Sequence, residues 1–244
     1  MLIFDALRAA IDAERPIALA TIVEGSGSGA KLLVDPAGPY LGSLEDPALD
    51  EQVREDALRL LDEERNEARE YRTGDMPVTV LVETFPPPPH LIVVGAVHTA
   101  IPLTTGAKLL GFGVTIVDPR TTFATRERFP DADDLIVEWP DDALPRLRLD
   151  RSTYIAVLTH DPKFDDPAVR IALAHPVRYV GALGSQRTQE RRRATLREAG
   201  VPEEELQRIY GPIGLPIGAR TPAELAISIL AEIVAVRRGR RTGL

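Results

Sequence analysis

The chain has no cysteine in its 244 residues. That excludes disulfides, thiolate nucleophiles, iron–sulfur ligation and cysteine-type zinc sites together. No apolar run approaches the roughly 18 residues that a membrane-spanning helix needs. The start, MLIFDALRAAIDAERP, is interrupted by Asp5, Arg8, Asp12 and Glu14. It reads as an amphipathic helix rather than a signal peptide, and the default location is the cytoplasm. A basic excess is missing as well. Lys+Arg 29 against Asp+Glu 37 leaves a net charge of −8, whereas general nucleic-acid binding needs a basic surface to neutralise phosphates. The arginine-rich stretch RRGRR at 237–241 reads as a solvated chain end. A P-loop is also absent: GSGSGAK at 25–31 lacks GK[ST], and Lys31 starts a strand, so this segment reads first as a flexible hairpin turn and second as a binding loop.

What is present suits a soluble globular protein, with 44% hydrophobic and 27% charged residues. The length allows one large domain or two modest ones. FPPPPH at 85–90 marks the boundary, because consecutive prolines neither donate to a ladder nor continue a helix. Residues 1–84 read as a smaller α+β domain. It has a helix over 3–14, strands at 16–24, 31–35 and 78–84, and a long charged helix over about 46–71, with Asp46 and Pro47 as cap and first helical position. Residues 91–244, after the proline linker 85–90, alternate strands with helices. Apolar runs recur at 91–94, 114–117, 135–137, 154–158 and 177–182. That pattern predicts an α/β, Rossmann-like, doubly wound parallel sheet, covered on both faces because LIVV, VTIV and YIAVL have no polar side.

Ligands of such sheets bind beyond the carboxyl ends of the strands, here at 95–98, 118–120, 159–161 and 184–187. The first strand runs into Gly95, and Asp118 follows 23 residues later at the end of the second. This is close to the spacing of about 20 at which a carboxylate meets a ribose hydroxyl. Where G-x-G-x-x-G has its second glycine the chain has Val97, whose branched side chain fills space a pyrophosphate would use. YVGALGSQRT opens a helix near Ser185, where free N–H groups and Arg187 favour an anion, or where the arginines are merely solvated. His160 and Asp161 suit proton transfer or ligation; equally, Asp161 caps a helix and His160 is half-buried. His98 is as ambiguous, and His90 and His175, next to prolines, read as loop residues. The glycines at 211, 214 and 218 allow either a close ligand or a tight turn. Thr221, Pro222 and Glu224 form a capping box, which explains Glu224 without catalysis. No catalytic residue or metal ligand is assigned.

Taken in order, VGAVHTA, VDPR, LTHDPKFDDP, YVGALGSQRT and GPIGLPIGARTPAELAISILAEI resemble the XdhC/CoxI family, densely over about 91–238. ALATIVEGSGSGAKLLV and GSLEDPALDEQV resemble its amino-terminal region more loosely. The resemblance implies a non-catalytic maturation factor that binds molybdenum cofactor, as molybdopterin or its cytosine dinucleotide, shields it during sulfuration and delivers it to a molybdenum hydroxylase. Its implied partners are the hydroxylase large subunit and a cysteine desulfurase; a homodimer is a separate open expectation. By position, Gly95, His98, Asp118, Arg120, His160, Asp161, Gly184, Ser185 and Arg187 fall on the motifs and are the implied cofactor-binding residues. The chain departs from the family at Val97, at LEDPALD (where many members carry Gly-Gly-Cys) and at Pro216. Two other readings stay open: an NAD(P)-dependent oxidoreductase using His160 as acid or base, and a degenerate protein-binding scaffold.

Overall fold

The structure is a computed structural model that describes residues 2–74 and 76–240. The chain divides into two compact units, Met1–Pro87 and Pro88–Leu244. The arginine-rich end read at 237–241 leaves the described residues after 240.

In the first unit the elements are α1 (Ile3–Asp12), β1 (Ile17–Glu24), β2 (Lys31–Val34), β3 (Leu41–Ser43), α2 (Pro47–Asp62), β4 (Glu67–Thr73) and β5 (Met76–Phe85). Five antiparallel strands lie in the order β3-β2-β1-β5-β4. Alternation along β1 serves two cores. Ala18, Ala20 and Ile22 pack with Leu49, Val53 and Leu60 of α2, while Ile17 and Leu19 pack with Ala6 and Ala10 of α1. Asp46 caps α2 as its sequence predicts, accepting from the Ala48 N–H at 2.8 Å.

The helix expected to run to about 71 stops at Asp62, and 67–73 is a strand. Glu64 adopts a left-handed φ of 51°, and the Arg65 N–H closes the turn on the Leu60 carbonyl. In β4 the inward positions are polar, which hides the period-2 signal. Arg69 and Tyr71 both reach Asp56 of α2, at 2.7 and 2.8 Å.

The second unit holds β6 (His90–Val94), α3 (Ala100–Leu109), β7 (Gly113–Val117), β8 (Asp134–Ile136), α4 (Pro140–Ala143), a 3-10 turn (Leu144–Arg146), β9 (Thr153–Val157), α5 (Pro162–Leu173), β10 (Tyr179–Ala182), α6 (Gln186–Glu198), α7 (Glu203–Leu206), β11 (Ile209–Tyr210) and α8 (Pro222–Arg237). All strand pairs are parallel, in the order β11-β10-β9-β6-β7-β8. This is a doubly wound Rossmann sheet whose order reverses between β6 and β9. Leu91 and Val93 face a core shared with α3 and α8, while Ile92 and Val94 face one shared with α5 and α6. The LIVV run is therefore apolar throughout because both of its faces are covered.

His90 is not a loop residue: it begins β6, with Nε2 2.9 Å from Thr115 Oγ1. His175 lies just beyond α5, with Nδ1 2.8 Å from the Ile171 carbonyl. In α8 the capping box forms in full, with Thr221 accepting from the Glu224 N–H and Glu224 accepting from the Thr221 N–H. Among the described residues no helix is long and apolar enough to cross a membrane.

Candidate functional site at the carboxyl edge of the parallel sheet

The loop after β6 is shaped by Gly95, at φ +108°. A Cβ there would stand 2.6 Å from Thr159 Cγ2, just past β9. Only glycine lets the two strand ends meet at the switch point. Val97 is partly buried against the core on the α3 and α8 side. Its carbonyl accepts from the Ala100 N–H at 3.0 Å. The absent glycine is thus replaced by a packing residue. His98, next in the chain, is exposed.

Asp118, at the end of β7, is buried and fully engaged. One oxygen accepts from the Ala96 N–H at 2.7 Å and from Arg120 Nη2 at 2.6 Å. The other accepts from the Arg120 N–H and Nε, both at 2.9 Å. Burial raises the carboxyl's pKa, but these bonds outweigh it and hold the group below its usual range. Asp118 therefore ties the Gly95 loop to Arg120 and has no oxygen left idle for a ribose.

Past β9, Asp161 caps α5 by accepting from the Lys163 N–H at 3.0 Å. His160, half-buried in one of its two readings, is exposed. At the end of β10, Gly184 has φ +134°, and a Cβ would lie 2.8 Å from Thr188 Cγ2. Ser185 caps α6, its Oγ accepting from the Thr188 N–H at 3.3 Å. Arg187 is exposed and makes no hydrogen bond or ion pair among the described residues. The glycines expected at 211–218 divide in use. The Gly214 N–H donates to buried Glu232 at 2.9 Å, which also accepts from Tyr179 Oη at 2.5 Å. Gly218 has open space around it.

Beneath this edge lies a buried network that no sequence motif announces. Arg192 of α6 donates to Asp165 at 2.7 Å, to Asp166 at 3.2 Å and to Gln189 Oε1 at 2.8 Å. Thr159 donates to Asp165, and Gln189 Nε2 donates to the Ala182 carbonyl at 2.9 Å. The ends of β9 and β10 are thereby fastened to α5 and α6. Burial pushes the Asp165 carboxyl up to about 6, against the pull of Thr159 and Arg192. The only sequence clue was Arg192 on the same helical face as Gln189 and Leu196, a spacing that marks it as inward-facing. Among the described residues, no group of three or more histidines and acids could hold a metal ion.

A family model described as the XdhC Rossmann domain matches residues 91–233, and one for the XdhC and CoxI family matches 10–72. The uncharacterized protein YqeB of Escherichia coli is 30% identical over 245 residues, covering 94% of this chain and 45% of its own length. A Bacillus subtilis protein named as a probable xanthine dehydrogenase subunit is 31% identical over 67% of this chain and 48% of its own. The molybdenum cofactor insertion chaperone PaoD of Escherichia coli is 38% identical over 90 residues, 37% of this chain and 28% of its own. The chain thus spans about half the length, or less, of these curated relatives. A crystal structure of a xanthine dehydrogenase from Bacillus halodurans shares the fold, with a TM-score of 0.56 and 23% identity over 99% of this chain and 97% of that one.

Proposed function

The chain belongs to the XdhC and CoxI family, and from that premise we propose that it is a maturation factor for molybdenum hydroxylases. In this reading it binds molybdenum cofactor, as molybdopterin or its cytosine dinucleotide, at the carboxyl edge of the parallel sheet. It holds the cofactor through sulfuration and hands it to an enzyme of the xanthine dehydrogenase or carbon monoxide dehydrogenase type. Its protein partners are then the hydroxylase large subunit and a cysteine desulfurase, and its place of action is the cytoplasm. The names of the Bacillus subtilis relative and of PaoD support this assignment.

The observation that carries the reading is the strand end at Gly184, where exposed Arg187 makes no hydrogen bond or ion pair among the described residues. A phosphate fits this donor at the start of a long helix, where backbone N–H groups and the helix dipole also favour negative charge. Gly95 and Gly184 are the positions where backbone, rather than side chain, meets the ligand. His98 and His160 are exposed donors on the same edge. Asp118 acts through Arg120, which it holds in place, and Ser185 and Asp161 shape the loops by capping their helices. No thiolate from this chain can meet the metal. Once delivered, the cofactor supplies the redox chemistry of the client enzyme.

The test is retention of pterin. Protein from molybdenum-sufficient cells, or incubated with purified cofactor, is expected to carry an extractable pterin, and Arg187→Ala to weaken binding about tenfold. A chain that never retains pterin under either condition refutes the assignment. The strand order also suits an NAD(P) oxidoreductase with His160 as acid or base. Val97 and the engaged Asp118 count against it, and tight calorimetric binding of NAD(H) or NADP(H) would favour it. If Arg187→Ala still matures a client hydroxylase in cells, a scaffold that binds only partner proteins gains the advantage.

A further inference from the structure

Beyond the ends of β7, β8 and β9, three segments build an aromatic and guanidinium ladder. Trp139, the residue before α4, stacks on Phe164 of α5 with ring centroids 4.6 Å apart and planes 8° from parallel. The Arg120 guanidinium lies 5.6 Å from the centre of Phe164 and 4.6 Å from that of Phe123. Arg128 is 5.6 Å from Phe123 on its own account. The chain has only one tryptophan and six phenylalanines, yet this stack leaves Trp139 45% and Phe123 41% exposed. By contrast, the edge-on pair Phe112 and Tyr154 is buried in the core.

The ladder is also preset. Asp118 binds both the backbone and the guanidinium of Arg120, which fixes the cation between the two phenylalanines. Asp161 lies close enough to act electrostatically on Arg120. It uses one carboxylate oxygen to cap α5, and its side chain makes no other hydrogen bond among the described residues. Planar heterocycles stack on indole faces and guanidinium planes, and a fixed surface costs little entropy on binding.

We propose that this ladder is a binding site for a planar, hydrogen-bonding heterocycle, with Trp139 as its stacking surface. The heterocycle is the pterin ring of the cofactor or the cytosine of its dinucleotide form. That choice rests on the cofactor-carrier reading; the stacking site itself does not.

Trp139 is the chain's single tryptophan, so its fluorescence reports on this site alone. The full chain is titrated with a free pterin and, separately, with cytidine monophosphate, with correction for absorbance. Calorimetry with purified molybdenum cofactor runs in parallel. One of the two small probes is expected to quench Trp139 saturably. Trp139→Ala then weakens calorimetric binding of that probe by about tenfold or more, and Trp139→Phe keeps most of it. Which probe quenches distinguishes the pterin ring from the base. If neither quenches, or if Trp139→Ala binds as the parent does, the ladder is not a ligand site. Cofactor binding with a silent Trp139 overturns the ladder and leaves the carrier reading intact. Quenching by a small probe without cofactor binding does the reverse.

Discussion

Asp118 and Asp165 are buried carboxylates near the same sheet edge, and their surroundings push them in opposite directions. Asp118 is held below its usual range by Arg120 and the Ala96 N–H, despite its burial. Its contribution to stability is present above the unfolded value near 3.8 and is lost as pH falls through the folded value. Asp165 is raised by burial to about 6 from 3.8. The fold therefore favours its protonated form, so its contribution is present at low pH and is lost as pH rises through about 6. Carbon-13 titration of the aspartate carboxyls should show one midpoint near 6, absent in Asp165→Asn. Replacing Arg192 with methionine leaves that acid without its buried counter-charge. We expect a loss of about 3–5 kcal/mol in urea unfolding and a further rise of the Asp165 midpoint. Gly95→Ala faces both a positive φ and the Thr159 methyl, and should cost more than about 1 kcal/mol in the same assay.

Among the elements, β4 shows how a strand escapes a reading of pattern. Its inward residues are Glu67, Arg69 and Tyr71, joined to one another or to Asp56 on the packed helix by hydrogen bonds. Hydrogen exchange is expected to show protection along 67–73 matching its ladder with β5, and Asp56→Ala should reduce it. At α8 the local signal and the structure agree. Thr221→Ala removes one half of a reciprocal cap and should lower stability by about 1 kcal/mol. Within the parallel sheet, Ile92→Ala opens a cavity between β6 and the helices on one face and should cost about 2–5 kcal/mol.

For the whole molecule, each of the two units has its own core clusters. Residues 88–244 expressed alone are expected to unfold in one cooperative transition in a denaturant titration. Loss of cooperativity would mean that the Rossmann unit depends on the first one. The Rossmann unit carries all nine residues implied in cofactor binding, so it should keep whatever pterin affinity the full chain has.

Much of this protein was legible in its residues. Apolar runs without a polar face specify strands buried on both sides, and their alternation with helices specifies a parallel, doubly wound sheet. Proline at 86–89, the caps at Asp46 and Thr221, and the glycine at 95 act through local stereochemistry, which sequence states directly, whereas the cap at Asp161 was one of two open readings. The missing second glycine at 97 also had a definite meaning, a filled space. What it was filled against needed the fold, since Val97 turns toward the core that α3 and α8 complete. The short strands β3 and β11 have too few residues for a period to show. The order of the strands, the closing of Asp118 onto Arg120, the network around Asp165 and Arg192, and the ladder from Trp139 to Arg128 all depend on contacts that no local pattern encodes. Such contacts arise only when packing brings the strand ends together, and tertiary structure alone decided them.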